Sequence, residues 1–198
     1  MNELDKACRH AKETAAWVEL HVQGLSISKS LRNCLAASAY GLAVEHQHAL
    51  VALIEAKAYG SMLALLRPTV EAFARGYWLL YQADDDQIKM FSQGKSTRTL
   101  DVLLRRISEE HSAGPHKQRM QTLVERLNAL THGDVEHLAM RLGNGQIGPQ
   151  YDVDHLAQAL YLGAWVATMA AMDIVGGVGQ NAELAATMLT EADTLLTP

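Results

Sequence analysis

Several polar residues of this sequence sit at spacings that could carry chemistry. Glu45-His46-Gln47-His48 holds a Glu-x-x-His step, the spacing with which di-metal helical bundles hold their ions. At 100° per residue Ser38, Glu45, His48 and Glu55 fall within about a 100° arc of one helix, a polar stripe on a segment otherwise apolar from Leu35 to Ala58. Arg67, Glu71 and Arg75 follow four apart, along one face of the next helix. Charges among apolar neighbours either pair with one another or line a polar pocket. The first alternative makes these residues struts between two helices. The second makes Glu45, His48, Arg67, Glu71 and Arg75 ligand-binding groups. A di-metal site would need further lone glutamates. Glu71 is one candidate, and Asp134-Val135-Glu136-His137 is a second half-match that follows Gly133. The expected metal ligands and cofactors are therefore none, with a metal-binding bundle kept as a further alternative.

A second arrangement lies later in the chain, in Arg126-Leu127-Asn128-Ala129-Leu130-Thr131-His132-Gly133. A histidine titrating near neutrality moves protons, and an arginine offers a fixed fork of donors to a phosphate. On one continuous helix Arg126 and His132 would differ by about 120° and about 9 Å. They act together only if the helix ends early or a second subunit completes the site. The bland alternative is a helix C-terminus favoured by His132 when protonated, with Asn128 one turn back.

The Arg126 to His132 segment resembles the Arg-x(4–6)-His motif of HEPN domains (higher eukaryotes and prokaryotes nucleotide-binding). It departs from that motif at Leu127, where a polar residue is usual, and Asn128 comes one position late. The resemblance implies an all-α bundle and a homodimer, with His132 as acid/base and Arg126 as phosphate binder in metal-independent RNA cleavage, or nucleotide binding without cleavage. A wider resemblance joins three runs: Glu45-His46-Gln47-His48-Ala49-Leu50, Tyr59 to Leu79 and Leu130-Thr131-His132-Gly133. They look like an uncharacterised family of small helical bacterial proteins over roughly residues 30 to 170. That resemblance implies a bacterial, cytoplasmic protein and gathers Glu45, His48, Arg67, Glu71, Arg75 and His132 into one set, without an activity. A non-enzymatic module binding a ligand or protein partner stands beside the ribonuclease reading.

The elements that must position these residues are legible from composition. The 198 residues include 29 Ala and 28 Leu against 12 Val and 6 Ile. Ala and Leu are strong helix formers and β-branched residues favour sheets, so the expected fold is all-α, one bundle of six to eight helices over residues 1–198. Apolar residues make up 48% and charged residues 20%, which excludes a disordered chain. The net charge of -5 excludes a uniformly basic nucleic-acid binder. It is an average: from Lys89 to Arg126 eight basic residues face four acidic ones, a segment of net +4. Such a segment can attract phosphate despite an acidic total.

Caps and breakers place the helices. Asn2 opens the first and Gly24 stops it; the second runs from about Ser28 to Lys57. Gly60-Ser61 is expected to start the third, which reaches Gln82 and should kink or break at Pro68. Asp84-Asp85-Asp86 caps a short helix, Ser96 or Thr97 caps one to His111, and Gly114-Pro115 opens one to His132. Residues 133–151 read as one long irregular loop. Asp152 or Asp154 caps an apolar helix to Gly176, and a last helix spans Asn181 to Leu195. From Ala159 to Gly179 the only charge is Asp173, long enough for a membrane span but rich in Ala and Gly, so a central bundle helix is expected and no membrane. Cys8 and Cys34 are expected as buried free thiols, and the N-terminus carries no leader pattern, which reads as cytoplasmic.

Overall fold

The computed structural model describes residues 2–95, 98–111, 127, 135–143, 146–148 and 150–195. The fold is all-α. α1 spans Glu3–Val22, α2 Leu31–Glu55 and α3 Tyr59–Tyr77, the last continued by a π-helical turn, π1, at Trp78–Gln82. α4 (Asp85–Ser92), α5 (Leu100–His111) and α6 (Val135–Ala139) are shorter. α7 (Val153–Met172) runs into a second π-turn, π2, at Asp173–Val178, and α8 covers Ala182–Leu195.

Side chains set most of the expected starts. Asn2 accepts from the Asp5 amide while the Asp5 carboxylate accepts from the Asn2 amide, a reciprocal capping box. Asp84 and Gln87 do the same for α4. Asp152 caps α7 through the Asp154 amide, and Ser30 caps α2. The turn between α2 and α3 departs from expectation. It falls at Ala56–Ala58 rather than at Gly60-Ser61, because Lys57 takes the left-handed position (φ 55°). The Ala58 amide then reaches Leu53 O at 2.9 Å and the Lys57 amide Ile54 O at 3.0 Å, which closes the helix end without a glycine. Nor does Pro68 break α3, which runs through it; beside it the Thr69 hydroxyl donates back to Leu65 O at 2.8 Å.

α2 and α3 form the most extensive helix pair, α7 lies against α1, α2 and α3, and both π-turns pack on α2. Small residues allow the close approach. A Cβ at Gly163 of α7 would lie 2.5 Å from Leu50 Cδ1 of α2. Tyr40, Leu50, Met62, Trp78, Leu79, Leu103, Leu156 and Leu160 fill the main core. A smaller cluster of Val18, Ala167, Ala171, Val175 and Met188 lies under α8. The span Val153–Val178 is long and apolar enough to cross a membrane, yet 61% of its most apolar window is buried inside the fold.

Two expectations are corrected here. The stretch 133–151 is not wholly irregular, for it holds α6 and a two-residue antiparallel ladder pairing Leu142 with Ile147 and Gly143 with Gln146. The backbone bonds Gly148 N–H to Arg141 O (3.0 Å) and Gln150 N–H to Met140 O (2.7 Å) extend that ladder. Cys8 is half-buried and Cys34 is exposed, since Cys34 falls one position past the inward-facing Asn33 on α2. The helix opened by Gly114-Pro115, the Ser96 or Thr97 cap and most of the Arg126 to His132 motif lie outside the described residues.

Candidate functional site

α2 buries Asn33, Ala36, Tyr40, Ala43, Gln47, Leu50 and Ile54, alternating three and four apart. That phase decides where its polar residues go. Ser38, Glu45, His48 and Glu55 all fall on the exposed side. Glu55 meets Lys12 of α1 at 2.5 Å in solvent, and the Ser38 hydroxyl donates to Cys34 O. Between Glu45 and His48 the inward polar residue is Gln47, whose amide donates to Ala11 O at 2.8 Å and whose Oε1 is buried without a partner among the described residues. Beside it His46 is half-buried, and burial lowers its pKa.

On α3 the Arg75 guanidinium donates to Glu71 Oε1 at 2.5 Å, an i,i+4 pair with both side chains about three-quarters covered. Arg67, one turn earlier, is half-buried with no ion pair or hydrogen bond among the described residues. No ion pair joins α2 to α3 among the described residues, so Glu45 and His48 do not meet Arg67, Glu71 and Arg75 there. Three or more His, Cys, Asp or Glu side chains able to hold a metal do not come together among the described residues. Arg126, Asn128 and His132 lie outside the described residues; Leu127 between them is helical and buried.

Among the described residues one polar cluster is not announced by the residue pattern. It lies where the two π-turns meet α2. In π1 the Ala83 amide reaches back five residues to Trp78 O (2.8 Å), and in π2 the Gly179 amide reaches Ile174 O (2.8 Å). Such widened turns redirect side chains and recur at functional sites. Here they bring Tyr81 and Asp173 together. Asp173 accepts from the Tyr81 hydroxyl through Oδ1 at 2.9 Å and from the Tyr40 hydroxyl through Oδ2 at 2.7 Å. Tyr40 is fully buried. Burial first, then the Asp173 charge, pushes both phenols well above the usual tyrosine range, so both stay protonated donors.

The surrounding chain is cut to fit this clamp. A Cβ at Gly76 would lie 2.7 Å from the Tyr40 ring, and one at Gly177 would lie 2.7 Å from Tyr81 Oη. The Tyr77 and Tyr81 rings lie 4.8 Å apart. Arg32 of α2 secures the end of π1, donating to Leu79 O (2.9 Å), Ala83 O (2.5 Å) and the Asp85 carboxylate (2.9 Å). At the start of π1 Trp78 is buried under the Arg98 guanidinium, 5.1 Å from its ring centre.

An open groove of about 480 Å³ runs between π1 and α5, lined by Tyr81, Gln82, Arg106 and Glu109. Tyr81 remains 48% exposed although its hydroxyl is tied down. Arg106 is half-buried and has no ion pair or hydrogen bond among the described residues, whereas its neighbour Arg105 reaches Glu109 at 3.9 Å. The groove thus offers an aromatic ring, an amide, a guanidinium and a carboxylate.

One signal in the sequence pointed this way: Asp173 is the lone charge between Ala159 and Gly179, and an acid in an apolar run needs donors. Its partners, 133 and 92 residues away, could not be read from spacing. None of the curated proteins and none of the solved structures matches the chain. Residues 40–194, which include the Tyr40–Asp173–Tyr81 clamp and the groove, match the DUF6988 family, a family of unknown function, and the chain belongs to it.

Proposed function

We propose that this protein binds a phosphate-bearing ligand, a nucleotide or an RNA strand, in the groove between π1 and α5. The observation that carries the reading is Arg106, a half-buried guanidinium without a described partner in a groove that also shows an aromatic ring. A guanidinium held off its own acids is matched to a phosphate by geometry and charge. Arg106 and Glu109 of the groove also belong to the segment from Lys89 to Arg126, whose net +4 would draw an anion toward it.

RNA cleavage is the further step, and the Arg126 to His132 motif supports it. His132 would take the proton of a ribose 2′-hydroxyl, or return one to the leaving 5′-oxygen. Arg126 would hold the phosphate as its charge grows. The new bond joins the 2′-oxygen to phosphorus, the bond to the 5′-oxygen breaks, and a cyclic phosphate results without a metal. A homodimer would bring the second copy of the motif to the site. The burial of most of Val153–Val178 favours a core helix over a membrane span, in keeping with a cytoplasmic bundle. A second reading, binding without chemistry, is favoured by the placement of Glu45 and His48 in solvent, which leaves Glu109 as the described acid of the groove.

Anisotropy of a labelled RNA oligonucleotide tests the binding step. Arg106→Ala should weaken binding and reduce the salt slope by about 0.7, the share of one single-strand phosphate contact. Unchanged affinity and slope would remove Arg106 from the site. Cleavage is read on the same RNA in EDTA. His132→Ala and Arg126→Ala should each abolish it, and a wild type that binds but cuts nothing leaves the second reading.

A further inference from the structure

We infer that Tyr81 is a stacking platform for the planar ring of the groove's ligand, and that Asp173 is the residue that positions it. The inference rests on the phosphate reading of the groove and adds the ligand's second half, a nucleobase.

The argument starts from what holds Tyr81. Its hydroxyl donates to Asp173 Oδ1, and the carboxylate cannot swing because Oδ2 is held by Tyr40. Tyr40 is fully buried and its ring lies where a Cβ on Gly76 would sit, so the far end of the chain of bonds is fixed in the core. Tyr77 lies against the Tyr81 ring, and the backbone of Gly177 abuts the Tyr81 hydroxyl. A tyrosine so restrained is nearly half exposed, and the exposed part lines the groove that holds Arg106. Folding has already taken up the cost of immobilising the ring, so a ligand ring that stacks on it loses little further side-chain freedom. Stacking of a base on an aromatic side chain is sequence-tolerant and is worth roughly tenfold to hundredfold in affinity. A bare guanidinium and an immobilised aromatic ring in one groove match the two ends of a nucleoside phosphate.

The two π-turns give this placement its cause. Asp173 opens π2 and Tyr81 lies within π1, so both partners stand on turns that depart from the α-helical path. Asp173 touches no ligand in this scheme. It acts through Tyr81, and its effect should appear in the preference for a ring, not in the hold on phosphate.

The test compares adenosine monophosphate with ribose monophosphate by calorimetry on the wild type and three variants. The wild type should bind adenosine monophosphate at least about tenfold tighter. Tyr81→Ala should erase that ratio while ribose monophosphate binding stays. Tyr81→Phe, which keeps the ring and cuts its tie to Asp173, should keep part of the ratio. Asp173→Asn should lower the ratio by a similar factor, with circular dichroism confirming the helical fold. A Tyr81→Ala protein that keeps the full ratio overturns the platform while the phosphate reading stands. A Tyr81→Phe protein with the wild-type ratio overturns the positioning role of Asp173. If neither probe binds the wild type but Tyr81 and Arg106 variants are folded, the phosphate reading fails and the platform fails with it.

Discussion

Two polar regions of this molecule look opposite in sequence and in space. The stripe on α2 is conspicuous in the sequence, with Glu45, His48 and Glu55 in an otherwise apolar run, and it faces solvent. The Tyr40–Asp173–Tyr81 clamp is inconspicuous, one acid in an apolar helix and two tyrosines far away, and it is anchored in the core. The difference teaches that phase outranks composition. α2 is apolar along most of its length, yet only one of its faces enters the core, and a residue such as Leu42 is left 45% exposed. α7 buries most of its circumference, so Asp173, the lone charge from Ala159 to Gly179, finds its donors within the fold.

The comparison breaks most visibly at Tyr40. Tyr40→Ala removes a fully buried ring from the contact with Gly76 and Phe73 and takes one donor from Asp173. It should cost about 3–5 kcal/mol by urea unfolding, as truncation of a buried aromatic does. Asp173→Ala comes next, since it strands two tyrosine hydroxyls, one of them buried. About 1–3 kcal/mol is expected. Against these, Glu45→Ala and His48→Ala should each stay within about 0.5 kcal/mol, the ordinary range of exposed substitutions. Were the α2 variants to cost as much as Asp173→Ala, the stripe would be a structural site after all.

The sequence carried the fold further than the site. Caps at Asn2, Asp84 and Asp152 announced their helices because a side chain three residues or fewer away satisfies the free amides, and that chemistry is local. The α2–α3 turn was misplaced because a lysine, not a glycine, took the left-handed position, and nothing local marks a lysine for it. The site was harder for a different reason. Spacing sets Arg67, Glu71 and Arg75 along one face, and of these Glu71 and Arg75 pair. What joins Asp173 to Tyr40 and Tyr81 is the meeting of two π-turns, and partners 133 and 92 residues apart are beyond the reach of spacing within one helix.

A smaller effect is expected where α8 is fastened. The Trp17 indole donates to Glu191 Oε2 at 2.7 Å, and His21 Nε2 lies 3.3 Å from the same oxygen while Nδ1 faces Trp17 O at 2.9 Å. Glu191→Gln keeps an acceptor for the indole and removes the charge. It should lower stability by under about 1 kcal/mol, the range of partly exposed ion pairs. Faster amide exchange in α8 than in α7 would locate the loss; equal exchange would show that the small core of Val18 and Met188 alone holds α8.

The smallest effect, and the one that probes the boundary between the two faces of α2, is on pH. His46 stands between exposed Glu45 and buried Gln47, and His10 of α1 packs against Tyr161 of α7. Burial, partly offset by Glu45 and by Glu13, lowers the pKa of both below the usual histidine value. The unfolded chain therefore takes up protons before the folded one as the pH falls below about 6.5. Unfolding is then coupled to proton uptake, so stability declines as the pH falls from the unfolded pKa to the folded ones and levels off below them. Urea midpoints measured from about pH 7 to about pH 5 should show that decline, and the double variant His10→Gln with His46→Gln should flatten it. If the double variant keeps the wild-type slope, neither ring is desolvated by the fold, and the inward edge of α2 would have to be drawn at Gln47 rather than at His46.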